Sequence, residues 1–209
     1  MNIVVGNAWP YANGSLHLGR IAVWLPGDIL ARYHRLMGDN VIFLSGTDCH
    51  GTPVTTKAEE EGLTPLEIID KYHNEFKECF KNLGFSFDIF TKNHTKYHEE
   101  KVKALILDLY KKGYIYEGDC DNHLYFSLSK FEKDIKNLYD NEENWRENAK
   151  EILKRYLDGG LRDRAVTRDF NWGVDVPLDG YEDKKIYVWI EAVMGYLTAT
   201  MKSLEPNNE

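Results

Sequence analysis

Three residues near the N-terminus, His17, Gly19 and Arg20, have the types and spacing needed to handle a phosphate group. They close the segment Asn7-Ala8-Trp9-Pro10-Tyr11-Ala12-Asn13-Gly14-Ser15-Leu16-His17-Leu18-Gly19-Arg20, which follows the apolar run Ile3-Val4-Val5. A strand, a glycine-containing loop and a helix N-terminus make a ready anion site, because the first amides of a helix have no internal partner. The histidine is expected in the first helical turn, where it donates to a phosphate oxygen. Gly19 lets a nucleotide approach the backbone closely. Taken alone, the segment reads equally as a loop that only turns the chain.

A second candidate lies at Ser45-Gly46-Thr47-Asp48-Cys49-His50. Asp48 is placed to receive a free α-ammonium; its competing role is to cap the next helix. His50 is equally a core or turn histidine.

The elements that must position these residues follow from periodicity. A strand is expected over residues 3–8. A helix should run from Ser15 to Met37, with Leu18, Ile21, Ala22, Leu25, Ile29, Tyr33 and Leu36 at helical spacing. Gly38 is placed to end it. Val41-Ile42-Phe43-Leu44 is a second buried strand. Continuous apolar strands around a helix imply a parallel sheet with a right-handed crossover. Ligands of such sheets bind beyond the carboxyl ends of the strands. Asp48 and the His17 segment should therefore meet in one crevice.

Further along, Thr64-Pro65-Leu66-Glu67 is a capping box with proline at the first helical position. Its helix should end near Gly84. Strands are expected at Phe85 to Phe90, at Tyr114-Ile115-Tyr116 and at His123 to Leu128, with a helix from Thr95 to Gly113. Ser129-Lys130-Phe131-Glu132 is read as a second capping box, and helices should fill most of 130–158. Ile186-Tyr187-Val188-Trp189-Ile190 is read as the last buried strand, followed by a helix from Glu191 to about Lys202. The end from Glu205 to Glu209 should fray.

Composition narrows the class. The chain has 209 residues, enough for a sizeable core, and carries a net charge of −8. That balance argues against a broad nucleic-acid surface. Lys150, Lys154, Arg155, Arg162, Arg164 and Arg168 cluster in sequence, as a solvated helix face or a local basic patch. No run is long enough to span a membrane, and no signal peptide is evident. Cys49, Cys79 and Cys120 form no CxxC pair, so a zinc site is not expected and a reducing, cytoplasmic setting is.

The motifs also carry a resemblance. His17-Leu18-Gly19-Arg20 is similar to the HIGH signature of class I aminoacyl-tRNA synthetases, and Pro10 to Gly19 resembles the methionyl-tRNA synthetases in particular. Gly46-Thr47-Asp48-Cys49-His50-Gly51-Thr52-Pro53 resembles that family's GTDEHGTP. Asp163 to Asp169, with Trp172-Gly173-Val174, resembles its DRAITRD and WGVPVP blocks. Tyr187 to Tyr196 resembles YVWFDAPIGY. The blocks occur in the family's order over most of the chain.

The resemblance implies a Rossmann-like α/β fold with a parallel sheet and a shortened α/β connective insertion. The expected divisions are 1–112 for the first half of the catalytic domain, 113–160 for the trimmed insertion, and 161–209 for the return. It implies formation of methionyl-adenylate from methionine and ATP with Mg2+, and transfer to tRNA(Met) in the full-length enzyme. Catalysis of that step is mainly positioning and charge neutralisation on the phosphoryl oxygens. Tyr11, Asn13, His17, Gly19 and Arg20 map to ATP contacts, with His17 and Arg20 catalytic. Ala8, Trp9, Tyr11, Asp48, Trp189, Ala192, Val193 and Tyr196 map to methionine contacts, and Arg168 to a supporting position. A thioether side chain suits such an aromatic pocket. The sequence departs from the family at Arg20 (a second histidine there), Trp9 (a smaller residue), Val193 (proline), Glu191 (aspartate) and Cys49 (glutamate).

Two family features are absent from the sequence. Zinc-bearing CxxC pairs usually stand between segments like Gly113-Tyr114-Ile115-Tyr116-Glu117 and Leu124-Tyr125-Phe126-Ser127, but only Gly118 to His123 separate them here. The lysine-rich KMSKS loop is also missing. The chain is therefore expected to be weakly active or inactive alone, with an unprotected sheet edge prone to self-association. The alternative is a non-catalytic methionine-binding or protein-interaction module derived from a synthetase.

Overall fold

A computed structural model describes residues 1–119 and 122–205. The chain divides into two compact units, Met1–Ala104 with Asp169–Glu209, and Leu105–Arg168.

The first unit is built on a parallel sheet in the order β1-β2-β3, formed by Asn2–Gly6, Asn40–Thr47 and Ile89–Lys92. Ile3 pairs with Val41 and Val5 with Phe43; Leu44 pairs with Ile89. The crossover helix α1 spans Leu18–Leu36, and α2 (Thr52–Glu61) and α3 (Pro65–Asn82) follow β2. Trp24, Ile68, Ile69, Tyr72, Phe76 and Phe80 fill one core, each side chain contributing about 1.5–3 kcal/mol by leaving water. The Thr64 capping box forms in full: its hydroxyl accepts from the Glu67 amide at 3.3 Å, and Glu67 accepts from the Thr64 amide at 2.8 Å. The unit also holds the start of α4 (Lys96–Lys111) and, after the second unit, its last strand and helix, described below.

Four local expectations shift. The crossover helix begins at Leu18, so His17 is its N-cap with extended backbone and not a first-turn residue. The third strand starts at Ile89, because Asp88 docks the preceding loop on β2: its amide donates to the Phe43 carbonyl (2.8 Å) and its carboxylate accepts from the Phe43 amide (2.7 Å). The apolar run at 186–190 is mostly helical. Only Lys185–Ile186 is extended, whereas Val188–Leu204 forms one helix that buries Val188, Glu191, Gly195, Thr198 and Ala199 at three- and four-residue spacing. A short apolar run does not distinguish strand from helix. Ser129 is not an N-cap. It lies in a single 3-10 turn, Leu128–Phe131, and its hydroxyl and amide both donate to Asp163.

In the second unit, β4 (Ile115–Glu117) and β5 (Leu124–Phe126) pair antiparallel, with Ile115 opposite Phe126. The Gly118 amide donates to the His123 carbonyl at 2.8 Å and closes the hairpin. β6 (Arg164–Ala165) adds to β5, and β7 (Thr167–Arg168) follows it. Helices α5 (Glu132–Asn141) and α6 (Glu147–Asp158) lie between β5 and β6 in the chain. Cys120 and the terminal residues 206–209 lie outside the described residues. In the first unit again, β8 (Lys185–Ile186) precedes α7 (Val188–Leu204). No helix among the described residues is long and apolar enough to cross a membrane.

Candidate active site

The chain leaving β1 stays beside the end of β2. The Asn7 amide donates to the Leu44 carbonyl (2.9 Å), Asp48 to Pro10 (2.8 Å) and Ala12 to Asp48 (3.1 Å). These bonds hold Trp9 and Tyr11 next to Asp48, at the carboxyl ends of both strands, as parallel-sheet topology requires.

Asp48 is buried. It caps no helix: Gly51 is the N-cap of α2. Its Oδ1 accepts from the Asn93 amide at 3.0 Å and the His50 backbone at 3.4 Å. No cation pairs with it among the described residues. Burial, and then repulsion from Glu191, push its pKa up to about 7 against the lowering by these two hydrogen bonds.

Glu191, a second carboxylate beside Asp48, has no solvent exposure. Its Oε1 accepts from His50 Nδ1 at 2.8 Å and Asn93 at 3.0 Å; its Oε2 accepts from His98 Nε2 at 2.8 Å. Burial raises its pKa, but the hydrogen bonds from His50 and His98 outweigh burial and leave it below the ordinary value. Asn93 is thus the keystone. Its two amide hydrogens go to the two carboxylates, and its carbonyl accepts from the Cys49 amide at 2.8 Å. Sequence reasoning missed Asn93, His98 and the role of Glu191. Their partners lie up to 141 positions away, and no local spacing signals them.

The aromatic candidates gather over Asp48. Trp9 and Tyr196 have ring centroids 5.7 Å apart. Tyr11 receives a hydrogen bond from Trp189, and burial followed by the Asp48 charge raises its phenol. Trp189 and Tyr196 are two turns apart on α7, on one face. The Trp9 ring slots between two glycines: a Cβ on Gly46 would stand 2.7 Å from it, and one on Gly195 2.9 Å. The Trp9 Nε1 is buried without a hydrogen-bond partner. Ala192 is half-buried, while Ala8, Trp189 and Val193 are exposed. Core packing therefore does not account for Trp189.

The phosphate candidates sit at the start of α1. His17 is exposed, and its Nδ1 accepts from the Arg20 amide at 3.3 Å. The Arg20 guanidinium donates to Asn13 at 3.4 Å, and its Nη1 is buried without a partner. Gly19 is exposed between them. Arg168 belongs to the second unit, where its guanidinium donates to the Thr167 carbonyl at 2.9 Å.

A family model described as "tRNA synthetases class I (M)" matches residues 3–122 and 119–209. The chain belongs to the methionyl-tRNA synthetase family of class I synthetases. It is 41% identical to a methionine–tRNA ligase of Alkaliphilus oremlandii over 272 positions, covering all of this chain and 50% of that protein. A methionine–tRNA ligase of Bacillus mycoides is 42% identical, covering 98% of this chain and 49% of the relative. The fold superposes on Mycobacterium tuberculosis methionyl-tRNA synthetase bound by methionyl-adenylate with a TM-score of 0.85, at 25% identity over 94% of this chain and 46% of that one. The chain spans about half the length of the curated relatives it matches. The synthetase model's two matched segments overlap at residues 119–122, between β4 and β5 in the chain.

Proposed function

We propose that this chain carries the methionine site and the adenosine and α-phosphate contacts of a methionine–tRNA ligase. The observation that carries the proposal is Asp48, a buried carboxylate with no cationic partner among the described residues, set under Trp9, Tyr11, Trp189 and Tyr196. Asp48 takes the methionine ammonium. Ala8, Trp9, Tyr11, Trp189, Ala192, Val193 and Tyr196 surround the thioether, where sulfur–ring contacts favour it. Tyr11, Asn13, His17, Gly19 and Arg20 receive ATP. His17 and Arg20 stabilise charge on the α-phosphate as the methionine carboxylate attacks and pyrophosphate leaves. Arg20 stands in for a second histidine with a permanent charge and a wider donor fork. The Arg20 Nη1, buried without a partner, supports an anionic ligand there.

Mg2+ enters with the ATP phosphates, since residues 7–20 supply no carboxylate to hold it. The CxxC pairs of the family's zinc insertion are absent, so no step is assigned to that metal. Transfer to tRNA(Met), a cytoplasmic setting and a supporting role for Arg168 belong to the same proposal. We also propose that residues 113–160 are the shortened connective insertion.

Calorimetric titration with methionine, with and without ATP and Mg2+, tests this reading. Methionine should bind, Asp48→Asn should abolish binding, and ATP should strengthen it. Methionine binding untouched by ATP would instead favour a non-catalytic sensing module. Methionine-dependent exchange of pyrophosphate into ATP should be weak for the chain alone. Robust exchange that survives His17→Ala would sink the assigned site.

A further inference from the structure

A second cluster lies beside Asp48, built on residues that the activation chemistry does not use. His50 Nε2 and His94 Nδ1 are 3.1 Å apart, and His94 Nδ1 is 3.5 Å from Glu99 Oε1. All three donor atoms lie within 4.8 Å of one another. Donors on a shared tetrahedral ion with bonds of about 2.0–2.2 Å stand about 3.3–3.6 Å apart. The His94–Glu99 edge already matches, the His50–His94 edge is a few tenths of an ångström short and opens by a small ring movement, and the partly exposed Glu99 side chain closes the third.

The surroundings favour an ion further. Glu191 accepts at His50 Nδ1, so that nitrogen carries the hydrogen and Nε2 is the ring nitrogen that faces His94. A carboxylate behind a histidine is the arrangement that orients metal-binding imidazoles. Trp172 walls the cluster, with its ring centroid 4.8 Å from His94 and 5.8 Å from His50. Its indole is fixed by donation to the Cys49 carbonyl at 2.7 Å. His50 is fully buried, whereas the side chains of His94 and Glu99 are 29% and 30% exposed, which leaves one side open to solvent.

We propose that His50, His94 and Glu99 form a binding site for a divalent transition-metal ion, with zinc preferred. Two imidazoles and one carboxylate with an open fourth position suit zinc, cobalt or nickel better than magnesium, which takes oxygen donors. The ion ties the segment after β2 to the turn before α4 and to α4 itself, and so clamps the wall that carries Asp48.

The test uses the full chain freed of metal with a chelator and titrated with zinc chloride and cobalt chloride. One equivalent should bind and raise the melting temperature. His94→Ala and Glu99→Ala should each weaken zinc binding by roughly tenfold or more, the scale on which metal sites respond to lost supports. His34→Ala, remote from the cluster, should leave it unchanged. Glu99→Ala decides the matter if His94→Ala proves unstable, because Glu99 lies on the partly exposed face of α4. Visible absorption of the cobalt form should show ligand-field bands without a thiolate charge-transfer band. Absence of saturable zinc binding, binding that neither substitution weakens, or a thiolate band would each overturn the proposal.

Discussion

The floor and the rim of the crevice are built on opposite principles. At the floor, Asp48, Asn93, Glu191, His50 and His98 are buried and bound to one another by hydrogen bonds of 2.8–3.0 Å between side chains. At the rim, His17 is exposed and Arg20 holds Asn13 through one long contact. The floor is internally satisfied by side-chain hydrogen bonds, whereas the rim has few, and on the proposed function the ligand supplies the rest. Within the floor, the two carboxylates differ again. Glu191 is saturated by two histidines, whereas Asp48 lacks a cationic partner among the described residues, and on that difference rests the proposal that Glu191 is structural and Asp48 is for binding.

The largest expected effect is at Glu191. Glu191→Leu should cost about 3–5 kcal/mol of stability, because His50, His98 and Asn93 are left with unmet hydrogen bonds in the core. Chemical denaturation measures it; a loss below the noise would dissolve the distinction between the two acids.

Asp48→Asn should do the reverse. Its folded pKa, about 7, lies above the unfolded value near ~3.9. The neutral acid is therefore favoured by folding. That contribution is fully present below the unfolded pKa and is lost as pH rises through about 7. Above pH 7 the parent protein bears an uncompensated charge, so the asparagine variant should be more stable there, by ~4 kcal/mol at most, with a smaller gain at pH 5. Melting curves of both proteins at pH 5 and 8 check the sign.

Methionine affinity should follow the same titration. It should fall as pH drops below about 7, because the ammonium needs the ionised acid. Calorimetry from pH 5.5 to 8.5, read against Asp48→Asn, separates this from general pH effects.

The smallest effect should be at the rim. His17→Ala removes a 3.3 Å cap contact and should cost less than ~1 kcal/mol of stability. Thermal denaturation that shifts as far as for Glu191→Leu would erase the contrast between rim and floor. A related proposal concerns β1, which pairs only with β2 among the described residues, beside exposed Val4 and the exposed Val23, Leu25, Ile29 and Tyr33 of α1. The chain should self-associate with rising concentration in sedimentation velocity; a monomer at all concentrations would argue otherwise.

The parts legible in the sequence are those set by local periodicity or adjacency. Ile3 to Val5 and Val41 to Leu44 are apolar without alternation, and the parallel ladder follows. Thr64 and Glu67 satisfy each other within one turn. Meeting of the Trp9 and Asp48 segments follows from strand order alone. What escaped depends on tertiary contact. Val188 to Ile190 match a strand and a helix equally until burial selects one face. Asn93 is an ordinary loop residue until two carboxylates approach it. Cysteine spacing says nothing about a His–His–Glu cluster whose first two members are 44 residues apart.

The seating of Trp9 limits which substitutions the fold tolerates. Its ring takes the volume that side chains at Gly46 and Gly195 would need, from two elements far apart in sequence. Positions 9, 46 and 195 therefore constrain one another sterically. A randomised library selected for folding should return alanine at 46 or 195 only in clones that have exchanged the tryptophan for a smaller residue.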